Sequence, residues 1–278
     1  MNGTLSDFSE VIKEIHDKIA NEYGIVDIYG KPSTPFDGWV FEESVLRPVR
    51  DIMERYITPN DILLEAGCGN GQIVQSYIKN GASKIIGLDF SFSMLKVACQ
   101  RAKLNHYEEK FIPIQGDIYT LPFKSGQIDF VFIYGVLEHL EKPIIALKEI
   151  FRVLKPKGFL ALGVPRKYSL AFFSYLLFGL SVPKWATNYK WDFSFKEKLK
   201  YYKFYSLREI KKFLQTAWGG HYQIVANIPV CYSFLVGFPQ NLQRKLFAYN
   251  SKIMFLIESL VSKIYKIPAG NYLIIKKK

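Results

Sequence analysis

Asp61-Ile62-Leu63-Leu64-Glu65-Ala66-Gly67-Cys68-Gly69-Asn70-Gly71 is the stretch that decides the fold of this 278-residue chain. Ile62, Leu63 and Leu64 form an apolar run that predicts a short buried strand ending in Glu65. Three glycines follow at alternate positions, and a helical pattern begins at Gln72. Strand, glycine turn and helix make the first unit of a doubly wound α/β sheet, which takes its ligand beyond the carboxyl ends of the strands. The spacing is G-x-G-x-G behind an acid, not the G-x-G-x-x-G of a dinucleotide site, and no lysine follows to grip a phosphate.

Downstream, the same alternation of strand and helix continues. A helix is predicted over 72–80, stopped by Gly81. Residues 84–89 read as a second strand ending in Asp89, and 111–115 as a third, ending before Gly116-Asp117-Ile118. A fourth strand over 129–134 runs into Gly135-Val136-Leu137-Glu138-His139-Leu140. A helix opening with Pro143 and a fifth strand over 159–165 complete the series. Asp89 lies about 20 residues beyond the glycines, where a carboxylate reaches a ribose hydroxyl pair; either it or Ser91 also suits the start of the next helix.

The motif Glu65-x-Gly67-x-Gly69-x-Gly71 after a buried strand resembles the first motif of the class I S-adenosylmethionine-dependent methyltransferases. Leu121-Pro122-Phe123 matches that family's L-P-F sequence before the fourth strand, and Leu154-Lys155-Pro156-Lys157-Gly158 its L-K-P-G-G turn, with Lys157 in place of the first glycine. Val136-Leu137-Glu138-His139-Leu140 is similar to the branch that methylates small molecules, quinone precursors and related lipids among them.

The resemblance implies a mostly parallel, seven-stranded, Rossmann-like sheet in the order 3-2-1-4-5, with sixth and seventh strands over 221–228 and 271–275. The motif loops would then open on one rim and hold S-adenosyl-L-methionine. The residues carried over to that role are Glu65, Gly67, Cys68, Gly69 and Gly71, then Asp89, Phe90 and Met94, then Gly116, Asp117 and Ile118, and finally Tyr134 and Gly135. Asp89 would serve the ribose and Asp117 the adenine amino group. His139 is the candidate general base; its alternative is packing at the start of the next helix. No metal is implied, because displacement at a sulfonium needs none.

Outside residues 61–165 the pattern loosens. Residues 1–60 predict a helical cap, with an apolar stripe at Phe8, Val11, Ile12, Ile15 and Ile19, a turn-rich segment, and a helix over 42–56 facing Val45, Val49, Ile52 and Met53 inward. Tyr29 and Trp39 are candidates to close over the cofactor. Two insertions, 166–204 and 229–268, suit substrate covers in a single-domain chain; the second contains an amphipathic helix around 252–264. Tyr205-Ser206-Leu207-Arg208-Glu209 between them reads as a capped helix start.

Composition narrows the rest. Hydrophobic residues make up 49% and charged residues 22%, a globular balance that excludes disorder. Cys68, Cys99 and Cys231 form no C-x-x-C pair, which argues against a disulfide framework or structural zinc. Met1 to Asp7 lacks a basic region followed by an apolar segment, and the apolar run 168–182 is too short to span a bilayer; both predict a cytoplasmic protein without a transmembrane segment. Contact of that run with a membrane surface is left open.

The net charge of +12 is segregated. Residues 166–278 carry 19 basic and 4 acidic side chains, whereas residues 1–60 carry 6 and 11. Such a distribution points to an anionic partner. The fourth motif lacks the Asn/Asp-Pro-Pro-aromatic sequence that holds a base amino group, and no cysteine is placed to attack a pyrimidine. A small or lipid-like anionic acceptor is the first expectation. RNA drawn to the basic surface is the second, and a catalytically silent cofactor-binding scaffold the third.

Overall fold

In the computed structural model, which describes residues 7–23, 46–167, 203–230 and 270–278, β1 (Leu63–Ala66) lies at the centre of a seven-stranded sheet. Its neighbours are β2 (Ile85–Asp89) and β4 (Ile128–Tyr134), both parallel to it. β3 (Phe111–Gln115) pairs with β2, and β5 (Leu154–Pro165) with β4. The spatial order is β3-β2-β1-β4-β5-β7-β6, and its first five strands follow the expected 3-2-1-4-5. β6 (Tyr222–Val230) and β7 (Gly270–Lys277) are antiparallel additions, with Leu162 opposite Leu273. The order in which the chain adds strands thus reverses between the parallel neighbours β1 and β4, where a ligand crevice opens in this architecture.

Alternation along the strands sorts their side chains to two faces. Leu64, Ala66, Val131, Ile133, Leu160 and Leu162 pack on α5 (Pro143–Val153) and α6 (Leu207–Trp218). Leu63, Phe130, Phe132 and Ala161 pack on α2 (Arg47–Tyr56), α3 (Val74–Lys79) and α4 (Phe92–Leu104). Burial on both faces explains why these strands read as continuous apolar runs. The buried Trp218 donates its indole N–H to the Leu147 carbonyl at 2.8 Å, so α6 is hydrogen-bonded as well as packed onto α5.

α1 (Asp7–Tyr23) lies on α4 through Ile15 and Ala20 against Met94 and Val97. The Ser91 hydroxyl pins it, donating to Asp17 while accepting from the Met94 amide. Ser91, and not Asp89, is therefore the N-cap of α4. Ser206 and Glu209 form the reciprocal capping box expected at the start of α6.

Several boundaries differ from the sequence reading. α3 starts at Val74, two residues late, because the glycine turn continues to Ile73. β5 begins at Leu154 and includes the Lys-Pro-Lys-Gly bend, where Lys157 takes φ +66°. β6 runs on to Val230, so the second insertion spans 231–269. Residues 42–45 of the helix predicted over 42–56, the helix predicted over 252–264, Val45, Tyr29, Trp39, the run 168–182 and Cys231 lie outside the described residues. Within α1, the side chains of Phe8 and Ile19 do as well.

Candidate active site

The glycine turn closes on β2. Gly67 and Cys68 donate their amides to the Leu88 carbonyl at 2.7 and 3.0 Å, and Gly71 donates to Cys68 at 3.0 Å. The Gly69 amide donates to Asp89 Oδ2 at 2.8 Å. Four amides of the turn are thus consumed internally, so the turn cannot cradle a phosphate as a P-loop does. Gly67 has φ +83°, and a Cβ there would lie 2.3 Å from Val136 Cγ2. Gly69 has φ +52°, with no atom within 4 Å of its would-be Cβ, so its backbone faces open space.

That space is a cavity lined by segments from four loops. The first contributes Gly67 and Gly69, and the second Leu88, Asp89 and Phe90. The third contributes Gly116 to Tyr119, and the fourth Gly135, Val136, His139 and Leu140. Ile12 and His16 of α1 close the remaining side. Eight of the candidate cofactor residues therefore meet at one place: Gly67, Gly69, Asp89, Phe90, Gly116, Asp117, Ile118 and Gly135. His139 joins them.

The other candidates are held elsewhere. Along β1, Glu65 shares the parity of Leu63, so its side chain leaves toward the α2–α4 face instead of the cavity. It is buried, Oε2 has no hydrogen-bond partner, and burial followed by the charge of Asp89 holds its pKa well above the carboxylate range. Cys68 belongs to the core on that face. Gly71 abuts Ala98, where a Cβ would lie 2.9 Å from the Ala98 methyl. Met94 is buried between α4 and α1, and Tyr134 stacks on Tyr272 with ring centroids 5.4 Å apart.

Asp89 is the central charged group. Its Oδ1 accepts from the Ser91 amide at 2.9 Å and its Oδ2 from Gly69. Burial pushes its pKa up to about 6, against the lowering effect of those amides. Asp117 Oδ1 accepts from the Tyr119 amide at 2.9 Å, which fixes the turn beyond β3. Glu138 is buried behind the His139 loop, and burial raises it to about 8. The returning end of the first insertion clasps the same loop: the Lys203 amide donates to the Glu138 carbonyl at 3.0 Å, and Lys203 Nζ to that of Leu140 at 3.1 Å.

His16 was not anticipated as a site residue. Burial pushes its pKa down to about 4, opposed by Asp17. Its ring centroid lies 5.8 Å from that of Phe90 and 6.2 Å from that of His139. The available signal was its position four residues after Ile12, on the face of α1 that turns inward.

The described wall carries two carboxylates, two imidazoles and no lysine or arginine. Such a wall suits an uncharged nucleoside bearing a cation better than a phosphorylated one. Among the described residues no cluster could hold a metal ion, and no helix is long and apolar enough to cross a membrane.

Residues 64–162 match the family model described as a methyltransferase domain. Over 101 residues the chain is 42% identical to a demethylmenaquinone methyltransferase of Lactococcus lactis subsp. lactis, covering 34% of this chain and 38% of that protein. It is 26% identical over 163 residues to the enzyme of the same name from Symbiobacterium thermophilum, covering 58% and 61%. Against a malonyl-[acyl-carrier protein] O-methyltransferase of Serratia marcescens it is 32% identical over 114 residues, covering 39% and 42%. The chain thus spans less than two thirds of the length of these relatives.

Two solved structures share the fold across nearly the whole chain. Magnesium protoporphyrin IX methyltransferase from Synechocystis PCC 6803, determined with bound SAM, superposes with a TM-score of 0.62 at 14% identity and full coverage of both chains. A [4+2]-cyclase superposes with a TM-score of 0.58 at 17% identity, covering 94% of this chain and 96% of its own.

Proposed function

We propose that this chain, whose residues 64–162 form a methyltransferase domain, binds S-adenosyl-L-methionine and methylates a small or lipid-like acceptor. The observation that carries this reading is the meeting of four loop segments around Asp89, in a cavity whose glycine turn spends the amides of Gly67, Cys68, Gly69 and Gly71 within the protein. When bound, the cofactor supplies an electrophilic methyl group on a sulfonium.

The chain's own part is placement. Gly69 lets the ligand lie on bare backbone. The Asp89 carboxylate accepts from the ribose hydroxyls with lone pairs not used by Gly69 and Ser91. Asp117 serves the adenine amino group, and Phe90 and Ile118 provide apolar walls. Alignment of two reactants is worth up to roughly 7–11 kcal/mol, the largest contribution open to such a site. Asp89 and Asp117 are the charged groups of the wall, and their negative sign favours a cation.

His139, which lines the same cavity, would take the proton of an acceptor held beside it. The basic excess of residues 166–278 serves an anionic portion of the acceptor remote from the reacting atom. The test is incubation of the purified chain with methyl-labelled cofactor and a cell extract, followed by mass analysis. A labelled small or lipid-like product supports the reading. Label on RNA assigns the basic surface to nucleic acid, and no labelled product favours a silent scaffold.

A further inference from the structure

His16 stands where a purely structural residue has no reason to be an imidazole. It lines the cavity one helical turn after Ile12, on a helix that packs Ile15 and Ala20 on α4 and is pinned there through Asp17. Its Nδ1 is buried with no hydrogen-bond partner. Buried polar atoms are nearly always paired, so an orphaned one beside a cavity marks a partner that arrives with the ligand.

The surroundings define that partner. His16 bridges the loop after β2, through Phe90, and the loop after β4, through His139, whose ring meets it edge-on at 80°. The same cavity is lined by Gly135, Val136 and Leu140, with no lysine or arginine among the described lining residues. An anionic carboxylate placed here would face Asp89 and Asp117 without a countercharge. A flat ring carrying a hydroxyl meets aromatic faces, an aliphatic floor and an open acceptor atom.

We propose that His16 is an acceptor-binding residue: its Nδ1 accepts the hydrogen bond of a phenolic hydroxyl and so fixes the ring of an aromatic acceptor between α1 and the His139 loop. The inference deepens the methyltransferase reading and rests on it. His16 forms no covalent bond and keeps its protonation state throughout. Its low basicity agrees with this role, since an imidazole that stays neutral retains the lone pair.

The test is calorimetry on the full chain in two steps. S-adenosylhomocysteine is titrated into wild type, His16→Ala and His16→Asn; failure to bind wild type would sink the methyltransferase reading and this inference with it. 1-Naphthol is then titrated into each protein saturated with S-adenosylhomocysteine. The expected result is S-adenosylhomocysteine affinity within about threefold of wild type in both variants. 1-Naphthol should bind His16→Ala about tenfold more weakly, the effect of one hydrogen bond, and His16→Asn should recover most of the loss because its amide oxygen can accept in place of Nδ1. 1-Naphthoate, the anionic analogue, should bind wild type more weakly than 1-naphthol. With S-adenosylhomocysteine binding intact, the inference is overturned if 1-naphthol fails to bind wild type, binds His16→Ala equally well, or is outcompeted by 1-naphthoate.

Discussion

The Asp89 carboxylate accepts a hydrogen bond from the Gly69 amide at 2.8 Å, which joins the Gly67 and Cys68 amides on Leu88 in tying the loop after β1 to the end of β2. A second amide, that of Ser91, holds its other oxygen. The group expected to grip the cofactor is thus aimed in advance, which lowers the ordering cost of binding. With its pKa pushed up to about 6 by burial, it is ionised at neutral pH and takes up a proton as pH falls through that value. A neutral carboxyl loses charge-assisted hydrogen bonds worth about 1.5–3 kcal/mol each. S-adenosylhomocysteine affinity should therefore fall by up to about tenfold between about pH 7.5 and 5, and Asp89→Asn should bind weakly with a flat profile. Calorimetry across that range measures both.

Lys157 takes φ +66° in the bend that opens β5, a region costly for residues with a Cβ. Gly158 beside it is also constrained, since a Cβ there would lie 2.9 Å from the Asp129 carbonyl oxygen. Lys157→Gly should relieve the strain while adding chain entropy to the unfolded state. The expected net gain is about 0.5–1 kcal/mol, seen as a rise in Tm of roughly 1–4 °C without a change in cofactor affinity.

Glu138 is buried, and burial raises its pKa to about 8. Because the folded value exceeds the unfolded one, the carboxyl is neutral in both states at acid pH and costs nothing there. As pH rises from about 4.5 to 8 the unfolded chain releases the proton first, so stability falls across that window. Glu138→Gln, which keeps the shape but not the titration, should gain at least ~1 kcal/mol on wild type between about pH 5 and 8.5. Denaturant unfolding at several pH values provides the check.

His139→Ala should lower turnover by about 10²–10⁴ if the imidazole takes the acceptor proton. Its affinity for S-adenosylhomocysteine should change little, because the ring lies on the β4 side of the cavity and Asp89 and Asp117 on the other. A loss under tenfold in single-turnover assays would reassign His139 to packing.

Much of this architecture was legible in the sequence because its strands are buried on both faces and its turns are chemically specific. Glycines at 67, 69 and 71 located β1, and acids at 89 and 117 marked the next two strand ends. Glu65 shows where motif reading stops. It ends an apolar run beside the glycines, yet strand parity sends its side chain to the face of Leu63, away from the cavity. Met94 reads as a rim residue only until α1 is packed over it, a tertiary contact that no local pattern encodes. His16 was hidden for the opposite reason: in an amphipathic stripe, a polar residue at the margin is indistinguishable from a solvated one until the neighbouring loops are placed.

The most direct test is a crystal structure of the chain with S-adenosylhomocysteine. The prediction is a nucleoside lying on Gly69, its ribose hydroxyls within hydrogen-bonding distance of the Asp89 carboxylate and its adenine beside Asp117. A ligand seated elsewhere, or a complex that cannot be formed at millimolar concentration, would contradict the assignment of this cavity.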